Sequence, residues 1–138
     1  MKKLLLSLLT FSLVFASSNL LGQSQTVQEK NKEIAVKYHE LNPDDIDDIL
    51  AVDFIGHWNE NDWNREDHRR TWSNNKAEDK IIHIIAENDL VAVKFTRSWD
   101  SDGDSGSVDV MQFMQIKNGK IVEIWELFNQ NQLESQSE

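Results

Sequence analysis

An α+β fold, with amino-terminal helices packed on one face of an antiparallel sheet, is what this sequence predicts, and three observations predict it. Apolar residues recur at helical spacing from Val27 onward. From Asp79 the period shortens to that of strands, in four runs rich in Ile, Val, Phe and Trp. Turns too short for a crossover join those runs, so successive strands must lie antiparallel, and helices followed by such a meander make a layered α+β domain.

The order begins with an export signal. Lys2 and Lys3 precede an uncharged apolar run from Leu4 to Phe15, and Ala16, Ser17, Ser18 or Gly22 offers a cleavage point. Residues 1–22 are therefore expected to be a signal peptide and residues 23–138 one exported domain, periplasmic or secreted. The run falls short of the ~20 residues of a membrane span, so no span is expected after cleavage. An uncleaved anchor reaching Leu21 is the alternative, and Ser17-Ser18-Asn19 interrupts it.

Composition narrows the partners. Asp and Glu number 24 against 14 Lys and Arg, a formal charge of −10 that deepens once Lys2 and Lys3 are lost. With no basic block, nucleic acid is excluded as a partner. The absence of cysteine removes disulfides, thiol nucleophiles and thiolate metal sites. About 115 residues suffice for a single core.

Thr26-Val27-Gln28-Glu29 reads as a capping box, and Val27, Ile34, Tyr38 and Leu41 give the first helix its apolar stripe until Asn42-Pro43. Asn42 can cap a second helix. There Asp44, Asp45, Asp47 and Asp48 favour the early turns, and Ile46, Ile49 and Leu50 face the core. Asp53 to His57 is a short strand, Asn59 to Asp62 a loop, and Asn64 opens a third helix to about Asn74. The sheet runs follow: Lys80 to Glu87, Leu90 to Trp99, Ser107 to Ile116 and Lys120 to Phe128. They are joined by Asn88-Asp89, the loop Asp100 to Gly106, and Asn118-Gly119, the last a two-residue hairpin signal. On the final run Ile121, Trp125 and Leu127 alternate with Val122, Ile124 and Phe128, so both faces call for cover. Helices can cover one, and a homodimer through the outer sheet face would cover the other.

The succession "DFIGHW", "IIAENDLVAVKFT" and "NGKIVEIW" resembles the SnoaL-like polyketide cyclase family of the nuclear transport factor two-like superfamily, from the first helix to about Asn129. Asn88 stands where relatives often carry Gly, a swap that left-handed backbone tolerates. The resemblance implies a cystatin-like cone, a strongly curved antiparallel sheet wrapped around the helices as an α+β barrel. It further implies an apolar pocket for a small apolar molecule, and no cofactor.

On that resemblance His57, ending the first strand, lies near the pocket mouth, where a neutral imidazole can exchange protons; a partly buried histidine with a backbone partner is the alternative. Asp53 shares its face but sits about 13 Å away along the strand, too far for a dyad. Trp58 is expected at the cavity, while Trp63, His68 and Trp72 fasten the third helix. Val91, Val93, Phe95, Arg97 and Trp99 share one strand face, and Arg97 is its polar exception. It can steady an oxyanion, or neutralise Asp109 if the register sets the two opposite. Trp99 and Trp125 supply flat apolar surface.

Related cyclases commonly carry an aspartate directly after the last strand's tryptophan, or four residues beyond it; here those positions hold Glu126 and Asn129. An amide takes no proton, so Asn129 can only orient a ligand, and alternation turns Glu126 away from Trp125. Two readings stand: a binding domain, or a cofactor-independent cyclase, isomerase or dehydratase with His57 as acid or base and Arg97 or Asn129 on the oxyanion. A structural module with a filled cone is a third.

Two motifs are set aside. "GDSG", Gly103 to Gly106, sits in a hairpin loop of a chain too short for a two-barrel protease. "DSDGDSG" lacks the glycine and closing glutamate of a calcium loop. His39, His57, His68 and His83 have no zinc spacing.

Overall fold

The computed structural model describes residues 25–40, 43–58, 61–74, 77–101 and 104–128. The expected signal peptide and Asn129 lie outside the described residues.

Residues 25–39 are helical (α1). Asn31, Ala35 and Tyr38, spaced four and three apart, form its buried stripe, whereas Val27 is half-exposed. The Asn31 side chain donates to the Asn88 carbonyl at 2.9 Å, which ties α1 to the turn of the first hairpin of the meander. The second helix is shorter than expected: a 3-10 turn at Pro43–Asp45 leads into α2 (Ile46–Ile49). Leu50, expected on that helix, already opens β1 (Leu50–Trp58). With four acids and only Ile46 fully buried, the segment has too little apolar stripe to extend. Lys120 Nζ meets the Asp47 carbonyl at 2.5 Å and closes its carboxyl end.

The stretch Asn61–Asn64, expected as the end of a loop and a helix cap, forms β2 and returns antiparallel on β1, with Trp58 opposite Asn61. Asn64 nevertheless caps α3 (Arg65–Asn74): its Oδ1 accepts from the Glu66 and Asp67 amides at 2.9 and 3.0 Å, while Asp67 accepts from the Asn64 amide. The meander follows as β3 (Glu78–Glu87), β4 (Leu90–Ser101), β5 (Asp104–Lys117) and β6 (Lys120–Phe128). Its turns show the backbone that the sequence calls for, with positive φ at Asn88 (55°), Asn118 (52°) and Gly119 (76°).

The six strands form one curved, open sheet in the order β2-β1-β6-β5-β4-β3. All pairs are antiparallel except β1 with β6, which is parallel because α3 and the meander intervene between them. Register shifts interrupt the β1–β6, β3–β4 and β5–β6 pairs, and such irregularities bend a sheet. The shift between Gln115 and Ile116 also changes the phase of β6. Ile121, expected beside Trp125, instead faces inward with Ile124 and Glu126, all three buried. The core fills the concave side: Tyr38, Ile46, Leu50, Phe54, Val91, Val93, Phe95, Val110, Met114 and Ile124. No helix of the described residues is long and apolar enough to cross a membrane.

Candidate functional site

Beyond that core, at the β2 and α3 end of the concave face, lies a cavity of about 310 Å³. Four aromatic residues wall it: Trp58 from β1, Trp63 from β2, Trp72 from α3 and Phe128 from β6. Asn61 and Thr71 stand beside them, and His68, Arg97 and Glu126 are its polar members. The local sequence explains the aromatic wall. Alternation on β1 sends Phe54, Gly56 and Trp58 to one side, the short return strand places Trp63 across from Gly56, and His68 and Trp72 share a face of α3 at i, i+4.

Gly56 is required by this wall. The six-membered ring of Trp58 lies back over it, so a Cβ at position 56 would collide with the indole. Trp58 then tilts against Trp63 at 4.9 Å and stacks on the His68 imidazole at 5.1 Å and 20°. Tyr38 stacks near the same imidazole at 5.6 Å and 11°, and its hydroxyl meets Nε2 at 3.0 Å. Enclosed this way, His68 is 3% exposed. Burial, helped by the Arg97 charge, pushes its pKa down to about 4, so the ring is neutral at pH 7. Burial and the nearby Glu126 charge likewise hold Tyr38 a phenol, its pKa well above the usual value.

The floor is an ion network. Arg97 Nε and Nη2 donate to the two Asp79 oxygens at 2.8 and 3.0 Å, and Nη1 donates to Glu126 Oε1 at 2.8 Å. Gln112 Nε2 donates to the other Glu126 oxygen at 2.8 Å, and His39 Nδ1 meets Asp79 Oδ2 at 3.0 Å. Burial alone would raise the Asp79 carboxyl, but the bonds from His39 and Arg97 hold it below the usual carboxylate range. Burial likewise works against the guanidinium charge, and its two carboxylates more than restore it. Arg97 thus pairs with Asp79 and Glu126; the Asp109 pairing expected from the sequence does not form. The hairpin register sets Asp109 opposite Thr96, on the other face, where it binds Thr96 and Lys94.

Of the residues expected at the site, Trp58 and Arg97 line the cavity, whereas His57, Asp53, Phe95, Trp99 and Trp125 do not. Phe95 is fully buried beneath the guanidinium, 5.1 Å from it, and Trp99 packs against the core. Asp53 is exposed. His57 and Trp125 lie opposite one another on β1 and β6 with rings stacked at 5.6 Å, on the outer face, because Trp58 and Glu126 take the inner one. The expectation that His57 looks into the cavity is therefore corrected by strand parity. Conversely, Trp63, His68 and Trp72, expected only to fasten α3, also build the wall. Glu126 was legible in principle: like Arg97, it is the polar exception between apolar neighbours of one face, Ile124 and Phe128.

On the outer face His57 bridges Asp62 Oδ1 from Nδ1 at 2.6 Å and Glu123 Oε1 from Nε2 at 2.9 Å. A ring bonded to carboxylates at both nitrogens is best served when both carry protons. The Glu123 and Asp62 hydrogen bonds accordingly raise its pKa. Its stabilising contribution is full below the ordinary value near 6.5 and is lost as pH rises through the raised value. An NMR titration of the His57 ring protons should give a midpoint above 6.5; a midpoint at or below that would show the bridge is not held in solution.

Residues 35–124 match the family model of a SnoaL-like domain. Among solved structures, a SnoaL-like polyketide cyclase from Agrobacterium tumefaciens strain C58 is similar with a TM-score of 0.66 at 12% identity, covering 78% of this chain and 98% of that one. An epoxide hydrolase of the LEH-like type from M. tuberculosis aligns with a TM-score of 0.67 at 12% identity over 83% and 90%. TerC, co-crystallised with polyporic acid, aligns with 0.67 at 13% identity over 78% and 97%. No curated protein matches the chain.

Proposed function

The chain belongs to the SnoaL-like domain family, and on that premise we propose that it is an exported protein that binds one small, largely apolar molecule in the aromatic-walled cavity. The observation that carries this reading is the wall itself: Trp58, Trp63, Trp72 and Phe128 around about 310 Å³ of space. Flat rings offer large apolar contact at little entropic cost, and a few polar groups at the end of such a pocket orient the guest.

Binding is favoured over turnover by the state of the polar groups. A general base needs a free lone pair and a pKa near the working pH. Glu126 is paired with Arg97 and Gln112 and Asp79 with Arg97 and His39, so a proton taken up by either carboxylate would cost it the pairing with Arg97, and His68 has too low a proton affinity to serve. His57, whose proton affinity suits, lies across the sheet from this cavity.

The test uses N-phenyl-1-naphthylamine, a neutral dye that brightens in apolar sites. The wild type should bind it saturably, one molecule per chain. Gly56→Ala, by driving the Trp58 ring from its place, should weaken that binding at least tenfold and lower stability by about 1–3 kcal/mol. Absence of saturable binding by the wild type would remove the reading.

The same proposal includes a homodimer through the outer sheet face. A row of His57, Trp125, Phe113, Ala92 and Ile85 crosses that face from β1 to β3, with Leu127 and Met111 beside it. Ile85 is 69% and Leu127 58% exposed in the single chain. On this face His57 is bonded to Asp62 and Glu123, and Lys94 to Asp109. Sedimentation should give a dimer for the wild type and a monomer for Leu127→Glu; a monomeric wild type contradicts the interface and leaves the cavity untouched.

A further inference from the structure

The polar end of the cavity carries an imbalance of charge. One guanidinium is bound to two carboxylates, and all three side chains are well removed from water: Arg97 is 19%, Asp79 6% and Glu126 1% exposed. Around them His68 is neutral, Tyr38 is a phenol, and Gln112 is an amide. His39 spends Nδ1 on Asp79, and its Nε2 is buried without a partner among the described residues. The trio of Arg97, Asp79 and Glu126 holds one negative charge in excess.

Arg97 is nonetheless the member of the three that reaches furthest toward the cavity. A guanidinium has five N–H groups, and three hydrogen bonds engage it here, so a donor remains on each of Nη1 and Nη2. A guest can meet an arginine that offers hydrogen bonds but whose charge is already more than cancelled. A carboxylate placed there would have to shed its water and join two others in a medium of low dielectric, and the single guanidinium cannot repay all three. A ketone, ester or amide oxygen accepts the same N–H groups and brings no charge. A cationic guest can accept nothing from Arg97 and meets the guanidinium before it meets the deeper carboxylates.

We propose that the cavity is an anion-excluding site that selects neutral aromatic guests presenting an acceptor oxygen to Arg97, with Asp79 and Glu126 setting that selectivity through the arginine. This rests on the binding function above and names the chemical class that the site accepts. Asp79 and Glu126 are positioning and selectivity residues in this account; Arg97 is the contact.

Calorimetry with three probes on one aromatic body tests it: 2-acetylnaphthalene, 2-naphthoate and 2-naphthyltrimethylammonium, at pH 7 and 0.15 M salt. The wild type should bind the ketone at least tenfold more tightly than either charged probe. Asp79→Asn and Glu126→Gln, made separately, each remove the excess charge and should bring the naphthoate to within about threefold of the ketone. Thermal melts identify a variant that does not fold, and the wild-type ranking decides the matter by itself in that event. Naphthoate binding as tightly as the ketone overturns the proposal and leaves the cavity reading standing, as does ammonium binding more tightly than the ketone. If a folded variant keeps the full tenfold discrimination against naphthoate, the assigned role of that carboxylate is overturned. Failure of all three probes to bind overturns the cavity reading and this inference together.

Discussion

Replacing Arg97 with methionine is expected to lower the unfolding free energy by about 3–5 kcal/mol, because it strands Asp79 and Glu126 in the interior without their counter-charge. Methionine fills much of the arginine's volume, so little of the loss is a cavity effect. The reason for so large an effect is the asymmetry of buried ion pairs: the pair itself adds little, while half of one is costly. The triple variant Arg97→Met, Asp79→Asn, Glu126→Gln removes every formal charge of the network and should regain most of what the single change loses. Urea unfolding at pH 7 measures both. A loss under about 1 kcal/mol for Arg97→Met would mean that water reaches the floor and screens its charges.

The second large effect concerns acid. His68 is held neutral in the fold with a pKa of about 4, whereas in the unfolded chain it titrates near its ordinary 6.5. Its neutral form is therefore a stabilising feature above pH 6.5. As pH falls from there toward 4 the unfolded chain takes up a proton that the fold refuses, which costs up to about 3 kcal/mol. His57 works in the opposite direction, since its raised pKa makes the fold the stronger proton acceptor. Carboxylates such as Asp79, held below their usual range, add to the loss at lower pH. His68→Phe keeps an aromatic ring between Tyr38 and Trp58 but has nothing to titrate. Comparing wild type and variant by urea unfolding at pH 7 and pH 4.5 isolates the histidine: the variant should be clearly less acid-sensitive. Equal sensitivity would show that His68 is hydrated and ordinary.

What could be read in the sequence divides along a physical line. Local patterns held: the Asn118-Gly119 turn, the Asn64 cap and the run Lys120 to Phe128 appear where residue chemistry placed them, because turns, caps and alternation depend on near neighbours. Parity within a strand also held, so Arg97 does share a face with Val91, Val93 and Phe95. What alternation cannot supply is which face is concave. Trp125 is more apolar than Glu126, and an inward tryptophan was the natural expectation. The protein instead buries the glutamate, because Gln112 on the adjacent β5 and Arg97 on β4 beyond it satisfy it. His57 followed Trp125 to the outer face for the same reason.

The bulges are a second limit. The shift between Gln115 and Ile116 turns Ile121 inward out of phase with the rest of β6, and no residue there announces it. β2 leaves no strand pattern in the sequence, since Asn61–Asn64 has one apolar residue, Trp63, and pairs only because the chain folds back on β1. Asp79 lies at the start of β3, where an acid reads as a solvated strand end, and its partner is eighteen residues away.

The account depends on a space beside Trp58, Trp72 and Phe128 that is lined by aromatic carbon and does not hold a fixed water network. Diffraction from a crystal of the wild type pressurised with xenon tests this most directly, since xenon enters dry apolar cavities and is displaced from polar wet ones. The predicted result is a xenon atom in van der Waals contact with those three rings. Ordered waters chained from Arg97 through the whole volume, or indoles closed over it with no xenon bound, would contradict the account.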